Sequence, residues 1–306
     1  MQPKVSVVIA FLNGENFIGE ALASVHAQTF ADWELLLVND GSSDASPAIA
    51  RDAAARDPRI RCLEHPGGVN RGLALSRRLG REAARGELLL YLDHDDILYA
   101  DCLQKLVDAL APHPAASAVF ACTMFWAYDP ALGGEDYTQT FKPLPNGPTD
   151  GRAFLRRLLR SENMHPAVCS TLFRRTALDQ ALDDFDEPFS GMYEDTAVLA
   201  KLLSHADVVL LNEPVSAYRM HGSSMCQVAK VDGTHSDETF SADRYRFMQW
   251  LRRAIRLDLP TRMALEYHLL EASNPTLYRA VAWYRGAIRQ LRRRVRRTLG
   301  VQASGQ

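Results

Sequence analysis

The sequence predicts an α/β fold: a mostly parallel, doubly wound sheet followed by a helical C-terminal extension. Three observations lead there. Strand and helix patterns alternate through the first 128 residues, as crossover-connected parallel strands require. Several strands are unbroken apolar runs, such as Leu35-Leu36-Leu37-Val38 and Leu88-Leu89-Leu90-Tyr91-Leu92, which suits a sheet covered on both faces. Beyond Met225 the spacing turns helical to the end of the chain.

Val5–Phe11 opens the chain as a strand, and Glu15–Gln28 carries Ile18, Leu22 and Val25 at helical spacing. Trp33–Val38 is the second strand. The Ser and Asp side chains of Asn39-Asp40-Gly41-Ser42-Ser43-Asp44 can cap a helix beginning near Ala45. Arg59–Leu63 reads as a strand, Arg71–Ala84 as a helix, and Glu87–Leu92 as a strand. Ala100–Leu110 is helical, and Ala116–Tyr128 is apolar and aromatic enough for a strand. Gly, Pro, Asn and Thr concentrate between Asp129 and Gly151, which indicates a loop or small hairpin insertion. Phe154–Leu159 is a short helix, Val168–Phe173 a strand and Glu194–Leu203 a helix. Val208–Leu211 and Val215–Arg219 read as two short strands.

The composition, 47% hydrophobic and 24% charged over 306 residues, is that of an ordinary folded chain with ample material for a core. No segment has the length of a membrane span, and Met1-Gln2-Pro3-Lys4 runs straight into a strand, so no signal peptide is expected. The five cysteines are scattered and odd in number. Reduced, mostly buried thiols in a cytoplasmic protein are the expectation. The net charge of −2 conceals an asymmetry: no acid follows Glu271, yet residues 276–299 hold eight arginines, which leaves the remainder at about −10.

The chemistry concentrates in acids. Asp93, Asp95 and Asp96 lie within four residues at the end of an apolar strand, where ligands of open α/β sheets bind. Crowded carboxylates repel unless a cation or a proton offsets them, and a hard Mg²⁺ or Mn²⁺ ion would bring a phosphate with it. A solvated acidic turn is the plainer alternative. Asp40 ends a neighbouring strand and would open on the same side, where it could accept a hydrogen bond from a base or ribose. Alone, Asp40-Gly41 is an ordinary turn pair. Glu194-Asp195 opens an apparent helix; the helix dipole favours acids there, and a general base brought in from the second half of the chain is the functional reading.

Taken together, these stretches resemble a family 2 inverting glycosyltransferase of the GT-A fold. The matching segments are Val5–Asn13, Gln28-Thr29-Phe30, Trp33-Glu34-Leu35, Asp40–Asp44, Asn70-Arg71-Gly72, Gly86-Glu87, Asp93–Asp96, Phe185-Asp186-Glu187, Glu194-Asp195 and Tyr218–His221, in order across roughly residues 4–222. The resemblance implies a catalytic domain over 1–225, with a nucleotide-binding half at 1–128 and an acceptor half at 129–225. The helical extension then covers 226–306.

It further implies sugar transfer from a nucleotide-diphosphate donor, expected to be a UDP-sugar, to an acceptor hydroxyl with Mn²⁺ or Mg²⁺ as cofactor. By position, Asp40 resembles the acid that meets the donor's base. Asp93 and Asp95 match the nucleotide and metal acids, with Asp95 as direct ligand. His221 resembles the histidine that closes over metal or diphosphate, and Arg77 the arginine of the helix before the acidic strand. Asp195 matches the general base, with Glu194 beside it on the acceptor side. Acceptor choice is expected from 129–150, from 162–165 with His165, and from the helices after Met225.

The chain departs from the pattern in places. Ala10 and Leu12 stand where the family usually has Pro and an aromatic against the donor base. Asn39 replaces a frequent Asp, and His94 sits between Asp93 and Asp95 where small residues are common. A catalytically silent sugar-nucleotide-binding or scaffold protein is therefore the rival reading. A sugar-nucleotide pyrophosphorylase would need a glycine-rich, basic loop after the first strand, and a nicotinamide dehydrogenase a G-x-G-x-x-G. Residues 11–16 supply neither. In the tail, Leu277, Val281, Tyr284, Ile288, Leu291, Val295 and Leu299 draw one apolar stripe. Binding to an anionic membrane surface and packing within the chain or a homodimer stand as equal readings. Nucleic acid is not an expected partner. Membrane contact would suit a lipid-linked saccharide acceptor in bacterial polysaccharide or glycolipid assembly, with the protein peripheral at the inner face of the cell membrane.

Overall fold

The structure is a computed structural model that describes residues 2–160, 164–182, 193–231 and 242–273, and Thr276. The basic stripe predicted for 276–299 lies outside the described residues apart from Thr276, and so do Phe185-Asp186-Glu187. The first half follows the predicted alternation: β1 (Val5–Phe11), α1 (Ile18–His26), β2 (Trp33–Asn39), α2 (Ser46–Arg56), β3 (Ile60–Glu64), α3 (Leu73–Ala83) and β4 (Leu88–Tyr91). Then come β5 (Ile97–Leu98), α4 (Cys102–Leu110) and β6 (Ala118–Trp126). The insertion supplies β7 (Tyr137–Gln139) and β8 (Gly147–Thr149), and α5 (Gly151–Arg160), β9 (Thr171–Arg174), α6 (Arg175–Leu182), α7 (Glu194–His205) and β10 (Val208–Arg219) complete the sheet region. Helices α8 (Met225–Val231), α9 (Ala242–Ala254) and α10 (Leu259–Ser273) follow.

The sheet runs β3-β2-β1-β4-β9-β6-β10-β5, with β7 on β6 and β8 on β10. Strands β3, β2, β1 and β4 are parallel, as are β6 and β10. Strand β9 lies antiparallel between β4 and β6, which makes the sheet mixed while leaving the predicted α/β class intact. Residues 208–219 form one strand instead of two. Its register against β6 shifts around Pro214, which has no N–H to give to the ladder.

Period-two alternation sends side chains to two cores. On β1, Val5, Val7, Ile9 and Phe11 pack with α1 and α4, while Val8 and Ala10 face the opposite core with Leu36, Tyr91 and α7. Phe247, Met248, Leu251, Leu265 and Leu269 of α9 and α10 belong to that second core, so these two helices pack on the sheet. Among the described residues, no helix is long and apolar enough to cross a membrane.

Candidate active site

Parallel β1, β2 and β4 bring their carboxyl ends to one edge, and the loops that leave them are tied together. Asp40 N–H donates to the Phe11 carbonyl at 2.9 Å, and Asn13 exchanges hydrogen bonds with Ser42 and Ser43. Gly41 adopts φ +81°, and a Cβ there would come within 2.6 Å of the Asn70 backbone nitrogen, so only glycine allows this turn to approach the Asn70–Gly72 loop. The Asp40 carboxylate holds that loop: it accepts from Arg71 N at 2.7 Å and Gly72 N at 3.0 Å. At 4% exposed, Asp40 is thus a loop anchor beneath the surface, with lone pairs remaining on each oxygen. Ala10 is corrected outright as a donor contact, because the pleat of β1 turns its methyl into the core. Leu12 is 39% exposed in the loop after β1.

The acids after β4 diverge. Asp93 Oδ1 accepts from Arg77 Nη2 at 2.6 Å. Asp95 Oδ2 meets His221 Nε2 at 3.0 Å, and the other ring nitrogen of His221 lies 2.9 Å from Ser223 Oγ. Burial alone would raise the Asp95 carboxyl, but the His221 hydrogen bond and the nearby His94 and His221 imidazoles hold it below the ordinary range. Asp96 turns inward and accepts from Arg219 N at 3.0 Å. Burial, then the charges of Asp95 and Asp93, push its carboxyl well up, which favours its neutral form. His94 packs against the loop after β1; a Cβ on Gly14 would reach within 2.4 Å of its ring.

Glu194 and Asp195 arrive from 100 residues further along the chain at the N-terminus of α7. Tyr193, in the left-handed region at φ 71°, turns the backbone into the helix and stacks on Phe247. Glu194 Oε1 takes a hydrogen bond from Arg77 Nη1, so one guanidinium forks between the acid after β4 and the acid opening α7. Burial raises the Glu194 carboxyl to about 6; Asp195 and Asp93 add to this and Arg77 opposes it. Burial works against the Arg77 charge, but Asp93, Glu194 and Asp195 outweigh it and keep Arg77 a cation. Asp195 Oδ1 accepts from Thr196 N at 2.6 Å, and Thr196 Oγ1 bonds His165 Nε2 at 2.9 Å. His165 therefore reaches the acids through a hydroxyl that local pattern reading did not single out. A cavity of about 190 Å³ lies alongside, lined by Arg77, Tyr91, Phe173, Asp195 and Val198 among others.

Two residues without a predicted role prove central: Arg219 and Asp96, the latter read only as one of three crowded acids. The available signal for Arg219 was a charge at the end of an apolar strand, two residues before His221. Among the described residues, no three His, Cys, Asp or Glu side chains gather as a metal cage. Asp95 and His221 are the pair that could hold Mg²⁺ or Mn²⁺, ions that need as little as one or two carboxylates beside phosphate and water oxygens.

Relatives share this architecture. The crystal structure of S. aureus TarS with UDP-GlcNAc superposes with a TM-score of 0.64 at 19% identity, over 88% of this chain and 71% of that one. The mannosyltransferase PcManGT from Pyrobaculum calidifontis, in complex with GDP-Man and Mn²⁺, gives 0.61 at 18% identity, over 94% and 75%. The uncharacterized glycosyltransferase EpsJ of Bacillus subtilis is 41% identical over 108 residues, which are 35% of this chain and 30% of that protein. The chain thus spans well under half of that curated relative's length. The acids after β2 and β4, with Arg77, fall within residues 6–182, which match the model of glycosyl transferase family 2. That match covers more than half of the sequence, and the chain belongs to this family.

Proposed function

We propose that the protein is an inverting, metal-dependent glycosyltransferase that moves a sugar from a nucleotide-diphosphate donor, a UDP-sugar first among them, to an acceptor hydroxyl. One observation carries the reading: Arg77 links Asp93 after β4 to Glu194 at the start of α7, so that donor-side and acceptor-side acids share one cleft. The complexes of TarS with UDP-GlcNAc and of PcManGT with GDP-Man and Mn²⁺ support the donor class.

In this proposal Asp95 and His221 would hold the metal, which when bound would supply Lewis-acid neutralisation of negative charge on the diphosphate. Asp195 is the general base. Thr196 fixes its Oδ1, and among the described residues Oδ2 has no hydrogen-bond partner, so it can face the acceptor hydroxyl. Arg77 keeps Glu194 and Asp93 in place around the reacting centre. The cavity beside Asp195, walled by Tyr91, Phe173 and Val198, gives an acceptor an apolar face to lie against. We assign the acceptor to saccharides or lipid-linked saccharides, with residues 276–299 as the segment to test for membrane contact.

Release of UDP from UDP-sugars in the presence of Mn²⁺, with and without EDTA, tests the reading. Asp195→Asn should lose turnover by about 10²–10⁴-fold with donor binding intact. Full turnover by Asp195→Asn would remove the base assignment. Donor binding without any turnover by the wild type would favour the silent binding protein.

A further inference from the structure

We infer that Arg219 is a positioning residue for the donor side of the site, setting Asp95 and His221 against each other. The inference rests on the proposed donor-binding role of that pair. Arg219 is the last residue of β10 and one of the most deeply buried side chains of the protein, at 1% exposed. Its backbone N–H donates to Asp96 Oδ1 at 3.0 Å, and its Nε donates to the main-chain oxygen of Asp95 at 2.8 Å. One residue therefore grips the acidic loop at two consecutive positions. His221 follows two residues later and meets the side chain of that same Asp95. The loop that carries one partner is thus fastened to the strand that delivers the other.

The side chain is built into its place by rings. Its guanidinium carbon lies 4.9 Å from the Phe17 centroid, 4.7 Å from Trp126 and 4.6 Å from Tyr128, and Phe17 itself packs at 4.5 Å from the His221 ring. Nη2 reaches Glu20 of α1 at 2.8 Å. Among the described residues Nη1 is buried without a hydrogen-bond partner, which leaves the ring faces as its compensation. Glu20 is half exposed, so its ion pair is a weak anchor, and the Asp95 carbonyl and the rings hold the guanidinium. Lysine cannot serve both, because its ammonium lacks a planar fork and does not stack. A buried charge is poor evidence for stability, since an apolar residue of similar volume packs as well. What an apolar residue cannot do is hold the Asp95 carbonyl.

The test uses the full chain and calorimetry with UDP, with Mn²⁺ and with EDTA, beside thermal unfolding. For R219M and R219K, the gain in UDP affinity that Mn²⁺ confers should fall by at least about tenfold. UDP affinity in EDTA should stay near wild type, while the thermal midpoint should fall modestly, because the Asp95 carbonyl loses its donor. Free guanidinium added to R219A should restore part of the Mn²⁺ gain. Wild-type Mn²⁺–UDP binding by R219K, or equal losses with and without metal, overturns the inference. If R219M fails to fold, R219K decides, since it keeps the charge. Asp95→Ala serves as reference: an Mn²⁺ gain that survives in Asp95→Ala sinks the donor-site reading itself. A gain lost in Asp95→Ala but kept in R219K sinks only the role of Arg219.

Discussion

Replacing Arg77 with methionine should be among the costliest single changes at the site, and its cost should depend on pH in a defined direction. The side chains of Arg77 and Glu194 are 11% and 9% exposed, and that of Asp93 is 28% exposed, so solvent screens the fork little. Removing one partner of a buried pair leaves an uncompensated charge and costs about 3–5 kcal/mol. That is a large share of the roughly 5–15 kcal/mol that holds a domain folded. The sign of the pH dependence follows from Glu194. Its carboxyl is raised in the folded state from 4.5 to about 6, so its stabilising contribution is complete below 4.5 and is lost as pH rises through 6. A tenfold change in proton affinity is worth about 1.4 kcal/mol, so the wild type loses about 2 kcal/mol above that window. Without Arg77 the carboxyl rises further, the window widens upward, and the penalty of R77M should be small at pH 5 and large at pH 8. Urea unfolding of wild type, R77M, E194Q and R77M/E194Q at both pH values measures this. R77M/E194Q should recover much of the loss at pH 8, because no buried anion is then left unpaired. An equal penalty for R77M at both pH values, with no recovery in the double variant, would refute the reasoning.

Other outcomes follow from single contacts. Asp40→Ala strips the acceptor from the Arg71 and Gly72 amides and should cost about 1–3 kcal/mol. Hydrogen exchange should quicken at those two amides first; uniform quickening across β2 would count against the anchor. Gly151→Ala would push a Cβ to 2.0 Å from the Ala206 carbonyl oxygen, whereas Gly80→Ala meets side-chain methyls, of Val8 at 2.3 Å and Val38 at 3.2 Å. Overpacking costs about 1–3 kcal/mol where side chains can shift, so Gly80→Ala should fall in that range. Gly151→Ala should exceed it in urea unfolding, because backbone must move.

The sequence was most legible where a signal is local. β1 occupies the predicted Val5–Phe11 because seven consecutive residues suit a strand buried on both faces, and Asp40 and the Asp93–Asp96 run mark the neighbouring strand ends. α1 begins at Ile18 and not at Glu15, because the Gly14 carbonyl takes the Phe17 and Ile18 amides and the chain turns there before it coils. α6 went unread, and β5, at two residues, was too short to leave a pattern. The direction of β9 left no trace either, since a strand's composition does not depend on which way its neighbours run. At the site, each acid was visible as a motif, and Arg77 and His221 beside them by resemblance, while the pairings were not legible. The Arg77–Glu194 bond joins residues 117 positions apart, and His165 reaches Asp195 only through Thr196.

The partners explain why such a concentration of negative charge can be built without unfolding the loop. Asp93 and Glu194 share the permanent cation of Arg77, and Asp96, whose neutral form burial favours, accepts from the Arg219 amide. Asp195 sits at a helix N-terminus with the Thr196 amide on Oδ1. Asp95 differs, because its side-chain partner is a histidine, whose ring nitrogens are metal ligands. Arginine is too basic to give way, so a cation arriving at Asp93 would meet a guanidinium already in place. At Asp95 it would meet an imidazole nitrogen, itself a ligand type that suits a divalent ion. This is the physical ground for assigning the proposed metal to Asp95 and His221 and leaving Asp93 to the fork.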